Sequence, residues 1–187
     1  MIGMHNGYGS TPPIDVDAYP AVKEWLDNFA DKLASRADQG DTFYHLRDCA
    51  YWEVFAKPKI MYQKFQVKPC FIYDESGLYC NDSMWIIPTE NKGLVALLNS
   101  KMGWWLISRF CTQIQNGYQL IWEYLGKIPV PKELPPELSD KVDAIIAAKK
   151  ADANADTSAL EAEIDDIVFG LYGLTAEERA LVQGAGK

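Results

Sequence analysis

Leu97-Leu98-Asn99-Ser100-Lys101 is the stretch on which the reading of this chain turns. It ends the opening turns of an apolar helix expected from about Asn91 to Cys111, with Thr89 as a plausible cap. Asn99 and Ser100 are poor helix formers inside an apolar run and are expected to break it. Its counterpart is Ile128-Pro129-Val130-Pro131, a strand-like exit into a proline-rich connector. Between them lie Gln113–Gly117, read as a polar loop, and a short strand from Tyr118 to Ile121. Neither half is a catalytic motif.

Upstream of this frame the pattern is extended. Ile60-Met61-Tyr62, Phe71-Ile72-Tyr73 and Met84-Trp85-Ile86-Ile87 read as strands, the last stopped by Pro88. Asp74-Glu75-Ser76-Gly77 is a turn, across which Leu78-Tyr79-Cys80 is expected to pair back as a hairpin. Tyr44–Phe55 is aromatic-rich, with a short helix near Leu46–Ala50. Asp17 is placed to cap a helix over residues 18–37, whose apolar stripe is Val22, Trp25, Leu26, Phe29 and Leu33. Residues 1–16 read as an edge strand and turn around Asn6-Gly7.

Downstream, Pro135 and Pro136 mark a boundary, followed by helices over about 137–150 and 158–171. Ser158 with Glu161, and Thr175 with Glu178, fit capping boxes, and Gly173 ends a helix before a last short one. The fold class is therefore α+β: a small mixed or antiparallel sheet with hairpins packed against helices, then a C-terminal helical hairpin.

The 187 residues carry a net charge of −8, unevenly spread. Residues 1–46 hold −4, 47–127 hold +2 and 128–187 hold −6. Screening over about 8 Å isolates a local basic face from distant acidic segments, so the total does not exclude nucleic acid. It does imply weak binding by this chain alone. No apolar run approaches a membrane span, and the N-terminus lacks the regions of a signal peptide, so the expected location is cytoplasmic with no membrane partner. Cys49, Cys70, Cys80 and Cys111 form no C-x-x-C pair and lie apart from His5 and His45, which points to reduced thiols rather than zinc.

The carboxylate pairs have structural explanations. Asp15/Asp17 flank a helix start, Asp74/Glu75 sit in a turn, and Asp165/Asp166 lie on the solvated face of a tail helix. No glycine-rich loop follows a strand, and the histidines are too few for a triad. No catalytic residue, cofactor site or metal site is expected. Basic and aromatic residues interleave between Arg47 and Lys127. Arg47, Lys57, Lys59 and Lys64 are expected to contact phosphates, which position a duplex without reading it. Gln113, Gln115, Asn116, Tyr118 and Gln119 are the candidates for base edges, since Gln and Asn can pair with adenine. The same stretch also suits an ordinary solvated loop.

The order of several segments resembles one family. They are His5-Asn6-Gly7 leading to Pro12-Pro13-Ile14-Asp15, Tyr19-Pro20-Ala21, Leu46–Trp52, Lys57–Tyr62 and Asp74–Tyr79. Leu97–Lys101, Gly117-Tyr118, Ile128–Pro131 and the tail from Asp156 to Thr175 continue it. Together they resemble the TaqI-like C-terminal specificity domain of adenine-specific DNA methyltransferases in Eco57I-type restriction–modification enzymes. The resemblance implies a DNA target-recognition core over 1–131, partial at its N-terminus, and a helical appendage over 132–187. It implies double-stranded DNA as partner, and an N-terminal methyltransferase domain of the same polypeptide carrying S-adenosylmethionine. That domain's Asn-Pro-Pro-aromatic motif is not matched by Thr11-Pro12-Pro13-Ile14, whose ends can neither hold an amino group nor stack on a flipped base. The parent is expected to methylate adenine, with or without cleavage. The alternative, from the acidic amphipathic tail alone, is a protein-interaction module.

Overall fold

Three consecutive apolar residues, Ile60-Met61-Tyr62, decide the larger sheet. All are buried, as a strand covered on both faces must be, and they place β1 (Lys59–Gln63) at its centre. The computed structural model describes residues 2–184. In it β1 pairs antiparallel with β3 (Phe71–Asp74) on one side and β4 (Met84–Pro88) on the other. A short β2 (Phe65–Gln66) leaves this sheet for a second one, in the order β2-β6-β5, with β5 at Thr112–Ile114 and β6 at Gly117–Gln119. Both sheets are antiparallel, and the architecture is the α+β class expected.

The expected hairpin of Leu78–Cys80 does not form; β3 pairs with β1 instead. The Asp74 side chain accepts from the amides of Ser76 and Leu78 and from Ser76 Oγ, while Gly77 takes φ +82°, so the chain is turned off the sheet. Leu78 and Tyr79 stay exposed.

Contacts divide the chain into two compact units, residues 1–55 and 56–187. In the N-terminal unit the helix expected over 18–37 is two pieces, α1 (Pro20–Asp27) and α2 (Ala30–Ala34). Asn28 Nδ2 donates to the carbonyls of Glu24 and Trp25, closing α1, and neither helix buries a residue. Asp15, not Asp17, supplies the first cap, over a 3-10 turn. The 46–50 helix is absent, and a 3-10 turn at Trp52–Ala56 replaces it. Asn6-Gly7 opens a tight bend with a Tyr8–Thr11 bridge, not an edge strand. His45 is buried as a brace, its Nε2 2.8 Å from Ile14 O and Nδ1 2.9 Å from Thr42 Oγ1.

In the C-terminal unit the apolar helix is indeed broken at Ser100, into α3 (Gly93–Asn99) and α4 (Lys101–Phe110). Ser100 is extended at ψ 163° and its Oγ accepts from the Gly103 amide at 3.1 Å, capping α4. After the short α5 (Trp122–Leu125) come α6 (Pro136–Ala151), α7 (Ser158–Leu171) and α8 (Ala176–Gly184). Thr175 and Glu178 make the capping box, with bonds of 2.8 and 3.3 Å; at α7 Thr157 is the cap residue and Ser158 already helical. Leu138 and Val142 of α6, and Ile164, Val168 and Phe169 of α7, share one core with Ile60, Tyr62, Leu97 and Ile107. The apolar face of the tail is thus buried in its own chain, and two clamps hold it. Lys92 Nζ reaches Asp143 of α6 at 2.6 Å, and Lys101 binds Asp165 of α7 through its amide at 2.8 Å and Nζ at 2.7 Å. Asp165 is therefore buried rather than solvated; Asp166 faces out, toward Arg179.

Candidate nucleic-acid interface

The segment expected to be a loop is a β-hairpin. Thr112 pairs with Gln119, Gln113 with Tyr118 and Ile114 with Gly117, joined by Gln115 and Asn116 at the tip. Gln115 takes φ +53°, an uncommon conformation for a residue with a side chain. Gly117 is required by its neighbours: a Cβ there would lie 2.4 Å from Gln66 O, where β2 pairs against β6.

Cross-strand partners share a face, and faces alternate along a strand. One face therefore carries Gln113, Tyr118 and Gln66, the other Thr112, Ile114, Gln119 and Phe65. The first face turns to α4, where Tyr118 meets Trp104 edge-on with ring centres 5.3 Å apart. Gln66 is buried there and braces the following loop through the Cys70 amide and carbonyl. Gln113 remains exposed. On the second face Phe65 and Ile114 are 38% and 39% exposed, beside a half-buried Gln119. The five candidate readers do not form one row: Gln113 and Tyr118 share a face, Gln119 lies opposite, and Gln115 and Asn116 crown the tip. Periodicity missed the apolar members of this surface, Phe65 and Ile114.

The basic candidates also separate. Lys57 is exposed and forms no ion pair among the described residues, as is true of Lys68. Lys64 reaches Asp82 at 3.0 Å and lies 5.7 Å from the Trp85 ring centre. That exposed pair contributes about 0–1 kcal/mol and can open to a phosphate. Arg47, in the N-terminal unit, makes an exposed pair with Asp38 at 3.3 Å. Lys59 is the correction: it is 0% exposed and bonded to the buried Asp74, so it cannot reach a phosphate. Burial by itself would raise the Asp74 pKa, but bonds from Lys59, Ser76 and the Leu78 and Ser76 amides outweigh it, holding the carboxyl at about 2.

Two nucleophilic side chains are silenced by burial, which lifts the Cys111 thiol to about 11 and raises the Tyr62 phenol further from its ordinary range. A groove of about 800 Å³ lies between β3, α3 and the α6–α7 pair, lined by Phe71, Tyr73, Val95, Val142 and Ile146. Its Asn99, Asp165 and Glu161 are already bonded to Phe71, Lys101 and Thr157. No helix among the described residues is long and apolar enough to cross a membrane.

Two comparisons bear on this surface. The family model of the TaqI-like C-terminal specificity domain matches residues 18–130. A type II methyltransferase, M.PaeR7I of Pseudomonas aeruginosa, is 24% identical over 183 residues, covering 93% of this chain. The chain spans 30% of that relative's length.

Proposed function

The chain belongs to the TaqI-like C-terminal specificity domain family, and on that footing we propose that it recognises a DNA sequence for a site-specific adenine methyltransferase of a restriction–modification system. Methyl transfer would be the task of an N-terminal methyltransferase domain of the same polypeptide. The observation that carries the reading is the β5–β6 hairpin, which presents Gln113, Gln115 and Asn116 to solvent from a braced base. Residues 91–122, which build α3, α4 and that hairpin, contain no Asp or Glu. The hairpin and the helices before it thus bring no carboxylate of their own to a phosphate, while Lys92 and Lys101 are held by Glu75, Asp143 and Asp165 from elsewhere. Lys57 and Lys64 are the cations of the C-terminal unit expected to hold the backbone.

On the same reading, S-adenosylmethionine is assigned to that methyltransferase domain rather than to this chain. The 800 Å³ groove is lined by apolar side chains together with Lys149, Lys150 and Ser158, and its Asn99, Asp165 and Glu161 are engaged within the protein.

Selection of duplexes from a random pool at fixed low salt tests the reading. The chain should enrich a defined site, and Gln113→Ala, Gln115→Ala or Asn116→Ala should relax individual positions, each by roughly 1–3 kcal/mol. Lys57→Ala should weaken all sequences alike and reduce the salt slope by about 0.9. Enrichment of no sequence by the wild-type chain overturns the proposal.

A further inference from the structure

The four arginines of the chain are differently employed. Arg36 donates to the carbonyls of Leu33, Phe43 and His45, Arg47 pairs with Asp38, and Arg179 with Leu174 O and Asp166. Arg109 has no carboxylate or carbonyl acceptor among the described residues. It is exposed, and its guanidinium carbon sits 5.1 Å from the centre of the Trp105 ring, one helical turn back on α4. Stacking on an aromatic face restrains the guanidinium while leaving its N–H donors available.

Position sharpens this. Arg109 is in the last turn of α4, and β5 begins at Thr112. Trp104, beside Trp105 in sequence, holds Tyr118 of the hairpin edge-on, so one helix anchors both the hairpin and the arginine. No carboxylate lies in the sequence from residue 91 to 122 to neutralise it.

Resting on the DNA-recognition reading above, we propose that Arg109 is a sequence-determining residue that reads a guanine in the major groove. A restrained planar fork matches the paired O6 and N7 acceptors of guanine, the commonest specific protein–DNA contact. Trp105 is its positioning residue. The lysine substitute would keep the charge and lose the two-point geometry.

The experiment is random-duplex selection with the full chain and with Arg109→Lys and Arg109→Ala, followed by salt titration on the selected and a scrambled duplex. Matching thermal unfolding curves check that the exposed substitutions leave the fold intact. Wild type should enrich a site containing a G·C pair at which both variants lose preference. Affinity of Arg109→Lys for the selected duplex should fall roughly 5- to 150-fold, with the scrambled duplex nearly unaffected. Retained guanine preference in Arg109→Lys overturns the assignment. So does equal weakening of both duplexes by Arg109→Ala with a slope lowered by about one, which marks a phosphate contact. If wild type selects a site and neither variant alters it, Arg109 alone is dismissed. Should wild type select nothing, the DNA-recognition reading fails and this one with it.

Discussion

Asn99 grips the backbone of Phe71 at both ends: its Oδ1 accepts from the Phe71 amide at 2.9 Å and its Nδ2 donates to the Phe71 carbonyl at 2.8 Å. A side-chain amide thereby takes the place of a neighbouring strand along the outer edge of β3. Asn99→Ala leaves both groups of Phe71 without their partner and should lower stability by about 1–3 kcal/mol in urea unfolding. Asn99→Asp should fare no better, because it can accept from the amide but opposes the carbonyl. Faster hydrogen exchange at the Phe71 amide would locate the loss.

The Lys59–Asp74 pair makes the fold acid-sensitive in a defined window. The Asp74 pKa is held at about 2 against an ordinary 3.8, so the unfolded chain binds the proton more tightly. Its contribution is whole above about pH 4 and fades as pH falls through 2, amounting to about 2 kcal/mol. Urea midpoints measured from pH 5 to pH 2 should show this decline. In Asp74→Asn the decline should flatten, and stability at neutral pH should drop by about 3–5 kcal/mol because the buried Lys59 loses the charge of Asp74.

Removing the tail should unfold the C-terminal unit, since Leu138, Val142, Ile164, Val168 and Phe169 belong to its core. Phe169→Ala should cost about 3–5 kcal/mol. Truncation after Pro135 should abolish the cooperative transition seen by circular dichroism. A folded, monodisperse 1–135 fragment would instead make the tail an independent docking element.

At the hairpin two glycine exchanges should act oppositely. Gly117→Ala drives a methyl against Gln66 O and the Phe65 ring, which a Cβ would meet at 2.4 and 2.8 Å. It should destabilise by about 1–3 kcal/mol and disturb β2–β6 pairing. Gln115→Gly relieves the φ of +53° and should be neutral or stabilising by up to about 1 kcal/mol. Calorimetry of both variants distinguishes these outcomes; a destabilised Gln115→Gly would mean that the glutamine side chain braces the tip.

What the sequence determined by itself was the type of most elements and where they stop. Contiguous apolar runs marked β1, β3 and β4, proline and capping residues bounded α6, α7 and α8, and Asn99-Ser100 marked the break between α3 and α4. These are local properties, set by backbone propensity and side-chain period within a few residues. The order of such segments also carried the family. Tertiary structure decided partners and burial: β3 against β1 rather than against 78–80, Lys59 inside rather than on a phosphate, Asp165 under Lys101, and the tail in the core. A lysine beside three apolar residues reads the same locally whether its ammonium is solvated by water or paired with Asp74, fifteen residues away. The choice rests on which distant side chains close the core, because desolvation is tolerable only where a partner compensates it.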